Sequence, residues 1–88
     1  LASAPPPSTT VGNTRLTMTA LRITGANSCE LSCRINASIY EADPDDVDTI
    51  KGNLPNAAAA IKKQLGGRVS VRVVLYDSKG RLITSATK

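Results

Sequence analysis

Three sets of side chains in this sequence could do chemistry. They are two cysteines four residues apart in "NSCELSCRINASIYEA" (residues 27–42), an acidic run "EADPDDVD" (residues 41–48), and arginines spread over apolar-patterned stretches. Cys29 and Cys33 could hold a metal, form a disulfide, do redox chemistry or simply pack. Zinc takes four ligands, and the chain has no His and no third Cys to complete such a site. The redox signature is C-x-x-C, whereas three residues separate this pair. In a strand, residues four apart stand about 13 Å from one another, and a disulfide needs Cα atoms within about 7 Å. A Cys29–Cys33 bond therefore requires "CELSC" to coil into a turn, which would displace Leu31 from its face. Cys33 reads as a small core residue and Cys29 as the edge of the same strand. A local Cys29–Cys33 disulfide is the alternative that an oxidising compartment would favour.

The acidic run lacks the D-x-D-x-D-G spacing of a calcium loop and leads straight into an apolar helix pattern, so helix capping accounts for it. With no His, the usual base near neutral pH is missing. No nucleophile elbow, phosphate loop or paired-carboxylate cleft is legible. The expectation is a protein that is not an enzyme, with no catalytic, metal or cofactor site. "NAS" at residues 36–38 matches a glycosylation acceptor, but placement in the middle of a strand argues against its use.

Charge is unevenly spread. Residues 41–48 hold five of the seven acidic groups, and the rest of the chain sets eleven basic groups against Glu30 and Asp77. Such an imbalance suits an anionic partner. Arg22, Arg34, Arg68, Arg72 and Arg81 all fall on or beside expected strands, and Arg34 and Arg72 share a polar sheet face with serines and tyrosines. Single-strand nucleic-acid binders also use stacking aromatics, and only Tyr40 and Tyr76 are available. The competing reading is an ordinary solvated sheet face.

These residues must be positioned by elements that the patterning shows. Residues 1–14, "LASAPPPSTTVGNT", carry three of the five prolines and read as a disordered Pro/Ser/Thr tether. "ASA" at residues 2–4 resembles the end of a signal peptide, although Pro5 disfavours cleavage there. Residues 15–88 read as one globular domain. In "RLTMTALRITG" (residues 15–25) Leu16, Met18 and Ala20 lie on one face. At Leu21 the phase changes, and Leu21 and Ile23 fall on the other. A one-residue slip of this kind is what a β-bulge produces, so the stretch is one strand bulged near Ala20. Leu31, Cys33, Ile35, Ala37 and Ile39 alternate with polar residues, predicting a half-buried strand.

Asp43-Pro44 is a helix start, with Asp45, Asp46 and Asp48 where the dipole favours negative charge. Val47, Ile50, Leu54, Ala58, Ile61 and Leu65 form one apolar stripe. Gly52 and Pro55 interrupt it, predicting a short helix over about 44–51 and a longer one from about residue 53 to Leu65. Gly66-Gly67 caps the end. "RVSVRVVLYD" is the strongest strand pattern, "DSKG" is a hairpin turn, and "RLITSATK" returns. The fold class is α+β: a four-stranded antiparallel sheet in β-β-α-β-β order with a helical layer on one face. A small β-sandwich with a helical insertion is the alternative.

"VVLYDSKGRLI" (residues 73–83) resembles the hairpin of FxLYD-type extracytoplasmic domains, with Leu75-Tyr76-Asp77 in place of their L-Y-D and Val73 where that family has Phe. Those domains are small immunoglobulin-like sandwiches of bacterial envelope proteins. "LPNAAAAIKKQLGGRVSVRVVLYDSKGRL" (residues 54–82) is similar to TonB C-terminal domains, with different spacings. Both resemblances imply an envelope protein that contacts other proteins, and neither supplies a functional residue.

The resulting expectation is a non-enzymatic protein-interaction module of an exported or cell-envelope protein, extracytoplasmic in location. It would bind a protein partner through a sheet edge or the polar sheet face. Candidate contacts are Arg22, Arg34, Arg68, Arg72, Tyr40 and Tyr76. "RVSVRVVLY" is the strand most ready to pair with another chain; were it central, "RLITSATK" would become the candidate edge. A nucleic-acid or polyanion binder is the first alternative, and a structural or assembly subunit the second. No stretch approaches the ~20 apolar residues of a membrane span.

Overall fold

The computed structural model describes residues 8–88; residues 1–7, with most of the proline-rich segment and the signal-like "ASA", lie outside the described part. Five strands and one helix follow in the order β1 (Ser8–Val11), β2 (Thr14–Gly25), β3 (Ser28–Ile35), α1 (Pro44–Gln64), β4 (Ser70–Tyr76) and β5 (Leu82–Thr87). The strands form one sheet in sequence order, β1-β2-β3-β4-β5. All neighbours are antiparallel except β3 and β4, which run parallel and are joined through α1. The fold class is thus α+β with a helix over a sheet. The sheet, however, is five-stranded and mixed, where four antiparallel strands were expected. One sheet is present among the described residues, not the two of a sandwich.

Each departure has a local cause. Residues 8–14, assigned to the tether from composition, form β1 and the tight β1–β2 hairpin. Their Ser/Thr/Val content suits an edge strand once β2 supplies a template. Gly12, at φ +59°, makes the turn. The Asp46 carboxylate clamps it by accepting from Asn13 N (3.1 Å) and Thr14 Oγ1 (3.1 Å).

The helix runs unbroken through Gly52 and Pro55, where two helices were expected. Pro55 removes one hydrogen bond. That loss is outweighed by a single continuous buried stripe of Val47, Ile50, Leu54 and Ala58, each large side chain of which contributes about 1.5–3 kcal/mol. The caps are as expected: Asp43 accepts from Asp45 N at 2.9 Å, and Gly66 and Gly67 take positive φ after Leu65.

The third strand ends at Ile35, not Ile39. Beyond it the chain is captured by Asp77. This carboxylate is fully buried, and it accepts from Ile39 N (3.0 Å), Lys79 N (2.9 Å) and Arg81 N (2.8 Å). Ser78 N also donates to Ala37 O (3.1 Å), tying this loop to the β4–β5 turn. Ala37 and Ile39 still pack against the core from the loop.

The core lies between α1 and one face of the sheet. Cys29, Leu31, Cys33 and Ile35 of β3 and Val71, Val73 and Leu75 of β4 meet Val47, Ile50, Leu54 and Ala58 of the helix. In β2 the ladder slips between Met18 and Ala20, as the phase change predicts, and again between Ile23 and Gly25. The first bulge returns Leu21 and Ile23 to the face that carries Leu16 and Met18. The cross-strand pairs are Leu16–Ile35, Met18–Cys33, Leu21–Leu31 and Ile23–Cys29, so the whole apolar row of β2 points to the helix side.

Candidate functional site

Beyond Leu16, which packs against the core, that row finds no cover among the described residues. Five strands make a sheet about 19 Å wide, and a helix with its side chains is about 10–12 Å across. The single helix packs mainly on β4 and β5 and has a smaller contact with β1. The helix-side face of β2 is therefore largely open, whereas Cys29, Leu31, Cys33 and Ile35 of β3 are buried. Met18 is 37%, Leu21 63% and Ile23 75% exposed.

Between this row and the helix runs a groove of about 360 Å³. Leu31, Cys33 and Val73 form its floor, Leu16 and Met18 one wall, and Leu54, Ala57, Ala60 and Ile61 the other. Ser8 and Thr9 of β1 stand at one end. The lining is almost wholly apolar. Ala57 and Ala60 keep the helix wall low, so a second backbone can approach closely.

Among the described residues, the outer edge of β2 beside the groove is unpaired. β1 pairs only with Thr14–Thr17, and residues 18–25 have no strand on that side among the described residues. Of the two edges weighed from sequence, "RVSVRVVLY" is central as β4, and "RLITSATK" forms the opposite edge as β5.

The arginines and tyrosines lie elsewhere. On the sheet face away from the helix, register places Arg22 beside Glu30 and Glu30 beside Arg72. Arg22 Nη2 reaches Glu30 Oε1 at 3.3 Å. Arg34 lies between Thr17 and Tyr76 on the same face. Arg68 precedes β4 at the end of the sheet nearest the β2–β3 turn. Tyr40 is at the other end, 82% exposed, with the Arg81 guanidinium 5.0 Å from its ring centre. The structure thus gathers Arg22, Arg34, Arg72 and Tyr76 on one face and leaves Arg68 and Tyr40 apart from them. Glu30 interrupts the positive row.

Cys29 and Cys33 share the helix-facing side of β3, buried and with free thiols. Burial pushes the Cys33 thiol above its ordinary value, which suppresses the reactive thiolate. No cluster of three or more potential metal ligands occurs among the described residues. Asn36 of "NAS" lies in the loop after β3, not in mid-strand, and its side chain accepts from Arg15 N at 3.0 Å. Among the described residues, no helix is long and apolar enough to cross a membrane.

Met18, Leu21, Ile23, Ala57 and Ala60 were not singled out from sequence as candidate contacts. The signal was present in part: a bulge after Met18 collects four large apolar residues on one face. That no helix covers them is a long-range fact. Comparison with family models, with curated proteins and with solved structures finds no match to this chain.

Proposed function

We propose that this chain is a non-enzymatic protein-interaction module, and that it binds through the uncovered half of its sheet: the apolar groove between β2 and α1, with the open edge of β2 beside it. One observation carries this reading. Leu21 and Ile23 lie on the core-facing side of the sheet and are nevertheless mostly exposed. Contiguous exposed apolar surface of this kind marks interaction sites on soluble domains, and a concave apolar cleft is where binding energy is most readily gained. The polar sheet face offers less. Glu30 dilutes the positive row of Arg22 and Arg72, and Arg68 stands away from it.

Site-specific photo-crosslinking in the native host tests this reading against its rivals. A benzophenone side chain at position 21 is expected to give a discrete protein adduct that is lost when Met18 is also changed to Lys, and one at position 34 none. Adducts only from position 34, with nucleic-acid binding that weakens steeply as salt rises, would favour the polyanion reading instead. Adducts solely to further copies of this chain would favour an assembly subunit.

A further inference from the structure

We infer that the outer edge of β5 pairs antiparallel with the β5 edge of a second copy of this chain. The two-fold axis passes at Ser85 and joins two five-stranded sheets into one of ten. This surface lies at the opposite edge of the sheet from the groove beside β2 and does not depend on it.

The first reason is the direction of the backbone groups. Val71 and Lys88 exchange both of their backbone bonds, at 3.0 and 2.9 Å. Bonded and unbonded pairs alternate along an antiparallel ladder, and the register is unbroken from Thr87 back to Thr84. Ser85 and Thr87 therefore turn their N–H and C=O groups away from β4. No strand lies outside β5 among the described residues, so these groups are a template for another strand. A two-fold axis at Ser85 opposes it to the second copy's Ser85, and each supplies the other's missing donor and acceptor.

The second reason is the lack of a guard. Residues 82–87 carry no charge and no proline, and the one irregularity lies near the start of the strand, at Ile83. Natural edges are usually blunted by such features, and β2 is bulged twice. About the axis Thr84 falls opposite Ala86, and Leu82 opposite Lys88, so no like charges meet. Ile83 and Ala86, half-buried against the core, gain cover.

The third reason is charge on the helix, and it favours a second copy over an unrelated strand. At 3.6 residues per turn, Asp48, Lys51, Pro55 and Lys62 lie on the flank of α1 opposite Ala57 and Ala60, which line the groove. That flank is turned towards β5. Neither Asp48 nor Lys62 has an ion-pair partner among the described residues. Leu54 borders the groove with Leu31, Cys33 and Val73, which stand in register with Ala86 and Thr84. The middle of α1 is thus level with Ser85. A two-fold axis at that level reverses the second helix. Asp48 and Lys62 are equally spaced about Pro55, so each copy's Asp48 is set towards the other's Lys62. An unrelated strand would satisfy the edge but bring no such pair.

Such an edge is smaller than a standard interface of about 800 Å² per partner, so the dimer is weak and is sought up to about 1 mM. Sedimentation equilibrium on the whole chain is expected to show a monomer–dimer exchange, with amide shifts on dilution centred on β5. Ser85→Pro removes an outward N–H and leaves the β4 ladder intact. It should weaken the dimer at least about tenfold while circular dichroism shows an unchanged fold. Asp48→Lys should weaken it about fivefold, and the swap D48K/K62D should restore it. A strict monomer at 1 mM would overturn the pairing and leave the groove reading untouched. A dimer indifferent to Ser85→Pro but broken by L21E/I23E would overturn it too, by moving the second copy to the groove. A dimer weakened by Asp48→Lys that the swap fails to restore would overturn the axis at Ser85.

Discussion

Leu21 faces Leu31 across the β2–β3 ladder, and the two side chains share one face of the sheet, yet Leu31 is 8% exposed and Leu21 63%. The helix layer ends between them. On its inner side the apolar residues hold the fold together, and on its outer side they contribute little to it.

That boundary sets the first prediction. Replacing both Leu21 and Ile23 by Glu should change the free energy of unfolding by no more than about 0.5 kcal/mol per site, as for ordinary surface substitutions. Leu54→Ala, which empties a buried position on the other side of the boundary, should cost about 2–5 kcal/mol. Urea denaturation of the two variants beside the parent chain makes the comparison. Equal losses would mean that the β2 row belongs to the core.

Asp77 gives a pH dependence. Burial by itself would push its carboxyl up, but the N–H donors of Ile39, Arg81 and Lys79, with the Arg81 guanidinium, together hold it below its ordinary 3.8. A carboxyl lowered by folding contributes stability that is present above its unfolded value and lost as pH falls through the folded one. Asp77→Asn turns one acceptor oxygen into a donor facing a backbone N–H. The variant should therefore be clearly less stable at pH 7, and the difference from the parent should shrink below pH 3.8. Urea midpoints measured between pH 7 and pH 2.5 would show it. A constant difference across that range would mean that the charge of Asp77 is irrelevant.

The thiols should be silent in the folded state. Cys29 and Cys33 are each 3% exposed, which shields both from reagent, and at Cys33 burial also raises the pKa and keeps thiolate scarce. Ellman's reagent is expected to find neither cysteine under native conditions and both in denaturant, with no gain on prior reduction. Rapid native labelling at Cys33 would show that the groove floor opens.

Two glycines should respond in opposite directions. At Gly12 a Cβ would collide with the Asp46 carboxylate, and φ is +59°. Gly12→Ala should cost about 1–3 kcal/mol through backbone strain and release the β1–β2 hairpin, visible as faster amide exchange in residues 8–17. At Gly52, inside α1, a Cβ would meet nothing within 4 Å. Gly52→Ala should add about 0.5–1 kcal/mol. A loss at Gly52 would argue that α1 is broken there in solution.

Much of this fold is local, and local features are legible without coordinates. Asp43-Pro44 and Gly66-Gly67 bound the helix because capping depends on residues a few places apart. The β2 bulge shows as a phase change because alternation is a nearest-neighbour property. Strand rise alone sets Cys29 and Cys33 too far apart to bond while both lie in one strand. What required the tertiary structure depends on partners far along the chain. β1 needs β2 as its template. The stripe of α1 survives Pro55 only because a sheet lies beneath it. β3 stops at Ile35 because Asp77, more than forty residues on, takes the next free N–H at Ile39. The parallel pairing of β3 and β4 is set by the direction in which α1 carries the chain across. The candidate site belongs to this second class. Sequence collects Leu16, Met18, Leu21 and Ile23 on one face, but whether a helix lies over them depends on where α1 docks, and its packing over β4 and β5 leaves Met18, Leu21 and Ile23 exposed.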